Sequence, residues 1–212
     1  MTAVIFDCDG TLVDSEPLAR LAWERALAPY GYALTDQDAE SCIGLPYPRV
    51  HAYFAERVVL PEAQPFWGEF SGELFTLIDT ELLPFDDAVG AARELRSRGV
   101  PVAVASSSPR ERLERTLGRA GLLDAFDVVV AGDEVEHGKP APDMFLLAAA
   151  RLGVRPGSCV VIEDSPPGVQ AGRAAGMFTL AVCRVPGTEA SLGAADRVVD
   201  TVSADTILEQ IA

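Results

Sequence analysis

Short runs of almost unbroken apolar residues punctuate the chain, and between most of them the pattern switches to a helical period. The runs are Ala3 to Phe6, Val100 to Ala105, Val128 to Val130, Cys159 to Ile162, Thr179 to Cys183 and, more weakly, Arg197 to Val199. Continuous apolar runs, as opposed to alternating ones, are the pattern of strands buried on both faces. Helix-period segments cover roughly Pro84 to Arg98, Pro109 to Ala120, Pro142 to Leu152 and Ser165 to Ala175. Gly99, Gly121, Gly153 and Gly176 follow them, where a C-terminal glycine is expected. Strand and helix in alternation predict an α/β fold, a parallel sheet with helices on both faces.

One stretch breaks the rhythm. From Ser15 to Leu82 the pattern is helical throughout: Pro17 to Tyr30, Asp36 to Cys42, Pro48 to Val58 and Pro61 to Thr80, separated by Pro-containing breaks and Gly44. An insert of that length is too long for a simple crossover. It predicts an all-helical subdomain at 15–82, set into a core made of residues 1–14 and 83–212.

An apolar content of 49% with 23% charged residues supports a substantial core and excludes a disordered chain, a collagen-like fibre and a disulfide scaffold. The net charge is −15, from 17 cations and 32 acids. That balance argues against nucleic acid and anionic membranes as partners. The longest apolar stretch, Ala174 to Cys183, falls well short of the ~20 residues that span a bilayer. The N-terminus has no basic segment and meets Asp7 early, unlike a secretory signal, so the expected location is the cytoplasm. The four cysteines show no metal-ligand spacing. Cys159 and Cys183 read as small core residues. Cys8 alternates between Asp7 and Asp9 and, on an extended backbone, faces away from both.

Three of the apolar runs end in polar residues: Asp7-Cys8-Asp9-Gly10-Thr11, Ser106-Ser107-Ser108 and Glu163-Asp164-Ser165. In open α/β sheets ligands bind beyond the carboxyl ends of the strands. Four carboxylates meeting there would repel one another, and a divalent cation with a taste for hard oxygen ligands, Mg²⁺, resolves that. Helix capping accounts for one such end more easily than for all three. A carboxylate nucleophile beside a second acid suits phosphoryl transfer through an aspartyl-phosphate. Asp7 would attack phosphorus; Asp9 would protonate the leaving oxygen and then deprotonate the hydrolytic water. Gly10 lets the backbone approach the phosphate. Thr11 lines the phosphate site and can steady Asp9 by a side-chain hydrogen bond. Lys139 is the single lysine beside sixteen arginines. With Ser106 and the following N–H groups, including that of Ser107, it would stabilise the charge on the transferring group. A compact ammonium can touch a carboxylate and a phosphate oxygen together, which a planar guanidinium does less well.

The stretch Asp7-Cys8-Asp9-Gly10-Thr11-Leu12-Val13-Asp14-Ser15 resembles the first motif of the haloacid dehalogenase superfamily. Ser106 after Val102 to Ala105 resembles the second, Lys139 in Gly138-Lys139-Pro140-Ala141-Pro142-Asp143 the third, and Glu163-Asp164-Ser165 with Gly168 and Gly172 the fourth. All four stand in the right order, and the branch most similar is that of β-phosphoglucomutase and phosphoglycolate phosphatase. The resemblance implies a Rossmann-like core and a helical cap inserted after the first motif. It also implies a metal site from Asp7, the Asp9 backbone carbonyl and Asp164, with Glu163 beside the metal directly or through water.

Within that family Asp9 argues against dehalogenation, since a halide leaving group needs no proton. The interval from Ser15 to Leu82 holds no lysine, which removes a Schiff-base phosphonatase. A mutase must clamp a second phosphate with cations. The insert carries only Arg20, Arg25, Arg49 and Arg57 against eleven acids, and no histidine stands near Ala19. The expected activity is therefore a Mg²⁺-dependent phosphatase for small phosphorylated metabolites, with a phosphosugar mutase as the alternative. A phospho-receiver switch is a third reading, of another class, but it needs neither Asp9 nor a helical insert. Arg49, just after Ile43-Gly44-Leu45-Pro46, and Tyr47 are the candidate substrate contacts. His51 reads as packing or surface and His137 as a solvated loop residue. Trp23, Phe54, Phe66, Trp67 and Phe70 are expected to glue the helices of a small subdomain together.

Overall fold

The structure is a computed structural model and describes residues 2–42 and 47–210. Ile43 to Pro46, with the helix break expected at Gly44, lie outside the described residues. The chain divides into two compact units, Met1–Asp14 with Leu83–Ala212, and Ser15–Leu82.

In chain order, β1 (Ala3–Phe6) and β2 (Val13–Asp14) precede four helices of the second unit: α1 (Glu16–Leu27), α2 (Asp36–Cys42), α3 (Tyr47–Ala55) and α4 (Ala63–Glu81). The first unit resumes with β3 (Leu83–Pro84), α5 (Asp86–Ser97), β4 (Val102–Ala105), α6 (Arg110–Arg119) and β5 (Val128–Val130). It continues with α7 (Asp143–Leu152), β6 (Cys159–Glu163), α8 (Pro166–Ala174), β7 (Phe178–Val182), β8 (Arg197–Val199) and α9 (Ala204–Leu208).

Six strands form one sheet in the order β5-β4-β1-β6-β7-β8, every pair parallel. Ala3 and Ile5 of β1, Ala103 and Ala105 of β4 and Val161 of β6 pack in one cluster with Met144, Phe145 and Ala148 of α7 and Ala171 of α8. The intervening residues Val4, Phe6, Val102 and Val104 point to the other face and are fully buried as well. Both parities are therefore apolar, which is why these strands read as continuous runs. β1 is central: Phe6 pairs with Val104 on one side and Ile162 on the other. The carboxyl ends of β1, β4 and β6 thus come level.

The strand and helix segments expected from sequence appear with shifts of one to three residues, the largest at the ends of α1 and α3. The run from Val100 enters the sheet only at Val102, because Pro101 has no N–H for a ladder bond. The two-residue antiparallel ribbon β2–β3, pairing Val13 with Pro84 and Asp14 with Leu83, is too short to leave a periodic signal. The terminal helix α9, five residues long, is likewise too short to leave a clear periodic signal. Ser165 and two prolines start α8 at the expected place: the Ser165 hydroxyl accepts from the Gly168 amide at 3.2 Å.

In the second unit α1 packs along α4. Trp23 lies at its centre, with ring centroids 4.2 Å from Phe70, 5.3 Å from Phe54 and 6.0 Å from Phe66. Buried Asp38 in α2 ties three elements together, accepting from the Thr35 amide (3.0 Å) and hydroxyl (2.6 Å), Tyr53 (2.8 Å) and Tyr32 (3.1 Å). Among the described residues no helix is long and apolar enough to cross a membrane.

Candidate active site

Asp7 is the first residue beyond β1, and its amide donates to the Ile162 carbonyl at 2.9 Å. The chain then doubles back. Leu12 and Val13 amides donate to the Cys8 carbonyl at 2.9 and 3.2 Å, and the Gly10 amide to the Val13 carbonyl at 2.8 Å. Gly10 has φ of +84°, and a Cβ there would overlap the Asp164 carboxylate. Glycine is required at this position for backbone conformation and for space.

Glu163 ends β6 on the same side as Val161, the face covered by α7, and Lys139 lies in the loop leading to α7. Sheet parity therefore brings Asp7, Lys139 and Glu163 together. The Lys139 ammonium donates to Asp7 Oδ1 and to Glu163 Oε1, the latter at 2.6 Å, and the Ala105 carbonyl is 3.4 Å away. Glu163 is fully buried. Its second oxygen, Oε2, accepts from the amides of Asp164 and Ser165 and the Ser165 hydroxyl, each at 2.9 Å. A buried carboxylate satisfied on both oxygens is a rigid anchor. Burial alone would push the Lys139 ammonium down; Asp7 and Glu163 outweigh that and hold it well above the ordinary lysine value.

Asp7, Glu163 and Asp164 each offer a carboxylate oxygen within 4.8 Å of the others. Burial raises the Asp7 pKa to about 7 despite Lys139, and Glu163 adds to the rise. Asp164 is raised too, by burial first and then by Glu163 and Asp7. Three carboxylates, two of them buried and Asp164 partly so, gather around one ammonium. That excess of negative charge on hard oxygen donors fits a divalent cation.

Asp9 is held apart from this cluster. Its Oδ2 accepts the hydroxyls of Ser108 (2.8 Å) and Ser106 (3.2 Å), and its Oδ1 accepts Arg112 Nη2 at 2.8 Å. Among the described residues its carboxylate is not part of the metal-ready group, so an Asp9 contribution rests on its backbone carbonyl. Thr11 departs from expectation: its hydroxyl donates to Asp164 Oδ1 at 3.2 Å, not to Asp9. A threonine has one hydroxyl proton, and here it goes to orienting Asp164. Ser106 is buried and its Oγ also accepts the Ser108 amide at 3.0 Å, while Ser107 is exposed. Sequence reasoning missed Arg112 and the role of Ser108. The serine run marked the second; an arginine in the first turn of a helix, against the dipole, was the available signal for the first.

The model of the haloacid dehalogenase-like hydrolases matches residues 1–176. The chain belongs to that family. It is 40% identical over 177 residues to the fructose-1-phosphate phosphatase YqaB of Escherichia coli (strain K12), covering 82% of this chain and 92% of that protein. It is 34% identical over 205 residues to the bifunctional riboflavin kinase/FMN phosphatase of Arabidopsis thaliana, covering 95% of this chain but only about half, 53%, of that longer protein. Among solved structures, the β-phosphoglucomutase of Clostridium difficile superposes with a TM-score of 0.81 at 25% identity, covering 100% of this chain and 95% of that one.

In this hydrolase the candidates of the helical unit have separate fates. The Tyr47 hydroxyl donates to the Ala63 carbonyl at 2.6 Å, and its ring meets Trp67 edge-on at 4.6 Å. Burial raises its pKa to about 12. Both ends of the side chain are thus used to join α3 to α4. Arg49 is exposed and has no hydrogen bond or ion pair among the described residues. His51 packs as expected, its Nε2 2.9 Å from the Pro61 carbonyl. His137 is a solvated loop residue, 3.2 Å from Asp143.

Proposed function

We propose that this hydrolase is a Mg²⁺-dependent phosphatase of small phosphomonoesters, sugar or short organic-acid phosphates, acting through an aspartyl-phosphate on Asp7. The observation that carries the reading is the separation of two carboxylates two residues apart. Asp7 is buried against Lys139, while Asp9 is turned onto hydroxyls and a guanidinium. Different surroundings give paired acids different jobs.

In the first step an Asp7 oxygen attacks phosphorus as the ester P–O bond breaks, and Asp9 gives its proton to the departing alkoxide. In the second, Asp9 takes a proton from water, which attacks the same phosphorus, and inorganic phosphate leaves with Asp7 restored. Lys139, fixed by Glu163, sits where it can offset charge on the equatorial oxygens, with Ser106 and the Ser107 amide as further donors. Asp7, Asp164 and the Asp9 carbonyl are the proposed Mg²⁺ holders, Glu163 standing next to them. Bound there, the ion would supply charge neutralisation for the transferring group.

Residues 15–82 are proposed as the cap that selects the substrate, with Arg49 as the contact candidate and Tyr47 supporting it through α3. This unit carries four Arg and eleven acids, a net −7, which disfavours the bisphosphate that a mutase must hold. The different-class reading, a phospho-receiver, gives Asp9 no task. Four free cysteines suit a reducing compartment, and the cytoplasm is the proposed place of work. A panel of phosphorylated metabolites assayed for inorganic phosphate with Mg²⁺ present tests the proposal. Release from sugar or organic-acid phosphates is expected; no release from any of them would overturn it.

A further inference from the structure

Arg112, in the first turn of α6, is badly placed for folding. A cation there faces the positive end of the helix dipole. Its side chain is only 19% exposed, and its Nε is buried without a partner. An N–H that loses its water and gains no acceptor is destabilising. The use of the residue therefore lies in what its Nη2 grips, which is Asp9 Oδ1 at 2.8 Å. The hydroxyls of Ser106 and Ser108 both hold the other oxygen, Oδ2. Donors on one oxygen limit the rotation of a carboxylate about its Cβ–Cγ bond from one side only; a further donor on the other oxygen fixes its plane more firmly.

We propose that Arg112 is a positioning residue that sets the plane of the Asp9 carboxylate for proton transfer. The inference rests on the reading of Asp9 as the group that protonates the leaving oxygen. Arg112 does not touch the phosphoryl group in this scheme; it acts through Asp9. Its loss is felt where the leaving oxygen most needs a proton, and little in substrate affinity.

The test compares p-nitrophenyl phosphate with phenyl phosphate, whose leaving oxygen is far more basic. Both are assayed with the Arg112→Met, Arg112→Lys and Asp9→Asn variants, each checked for folding by thermal melt. Because kcat/KM reports the first chemical step, Arg112→Met should lower it about 10- to 100-fold for phenyl phosphate. For p-nitrophenyl phosphate the fall should be much smaller, with KM nearly constant. Arg112→Lys should recover part of the loss, and it carries the comparison if the methionine variant does not fold. Equal losses on both substrates, or unchanged rates on both, would overturn the positioning role. Undiminished phenyl phosphate hydrolysis by Asp9→Asn would instead sink the reading of Asp9, and the inference with it.

Discussion

Lys139 Nζ donates to Glu163 Oε1 at 2.6 Å, and Glu163 is fully buried with its other oxygen already bound by three donors. The lysine is thus aimed by a group that cannot move. Lys139→Arg keeps the charge but brings a longer, planar head into a slot shaped for a compact ammonium. The expected result is a loss of at least ~10²-fold in kcat, of the size seen when a charge-stabilising donor is removed. Steady-state kinetics beside a thermal melt would check it; a near-normal rate would mean that charge alone suffices.

Asp7→Asn should silence turnover, because an amide cannot accept the phosphoryl group. Asp9→Asn should leave the fold intact and cost about 10²–10⁴-fold. If Asp7→Asn retained more than about a tenth of the rate, direct attack by water would replace the covalent scheme.

Chelation should abolish turnover and Mg²⁺ should restore it. The burial, with the neighbouring carboxylates, that raises the Asp7 and Asp164 pKa values also predicts a readout independent of activity. Mg²⁺ should raise the melting temperature, since a ligand of the native state stabilises it. The rise should shrink in Asp164→Asn. An identical rise in that variant would remove Asp164 from the ion's holders.

Supplied with β-glucose 1-phosphate and a trace of the 1,6-bisphosphate, the enzyme should release inorganic phosphate rather than glucose 6-phosphate. If residues 15–82 act as the proposed cap, their net charge of −7 should disfavour a second dianion. Rapid isomerisation with little phosphate release would favour the mutase and give Arg49 the role of clamp.

Asp38 should give the helical unit a pH-dependent stability. Burial opposes its charge, but Thr35, Tyr53 and Tyr32 favour the ionised form more strongly and hold its pKa down to about 2, from 3.8. A depressed acid stabilises above its unfolded pKa, and the contribution fades as pH falls through the folded one. A shift of this size is on the order of 2 kcal/mol. Denaturant melts of the wild type and Asp38→Asn should therefore differ fully near neutrality and converge as pH drops from about 4 toward 2. A gap that persists at the acid end would assign the effect to packing.

The central strands were legible because both faces of β1, β4 and β6 are apolar, and the site because polar residues stand at their ends. What escaped lay outside such periodic patterns. The ribbon Val13–Asp14 with Leu83–Pro84 is too short to have a period. Thr11 turns to Asp164 because the Gly10 turn brings those two side by side, a geometry fixed by one positive φ. Arg112 sits 103 residues from Asp9, so only tertiary structure could pair them.

The strand register carries one more consequence. Asp7 and Glu163 meet because Phe6 lies opposite Ile162. A slip of one residue would send every side chain of β1 to the opposite face, and Asp7 away from Lys139. Yet β6 follows β1 by some 150 residues in the chain, so a fragment lacking it has no Glu163 to set Lys139 against Asp7. On the proposed scheme, a copy that has not yet paired β6 with β1 should not turn over phosphate esters.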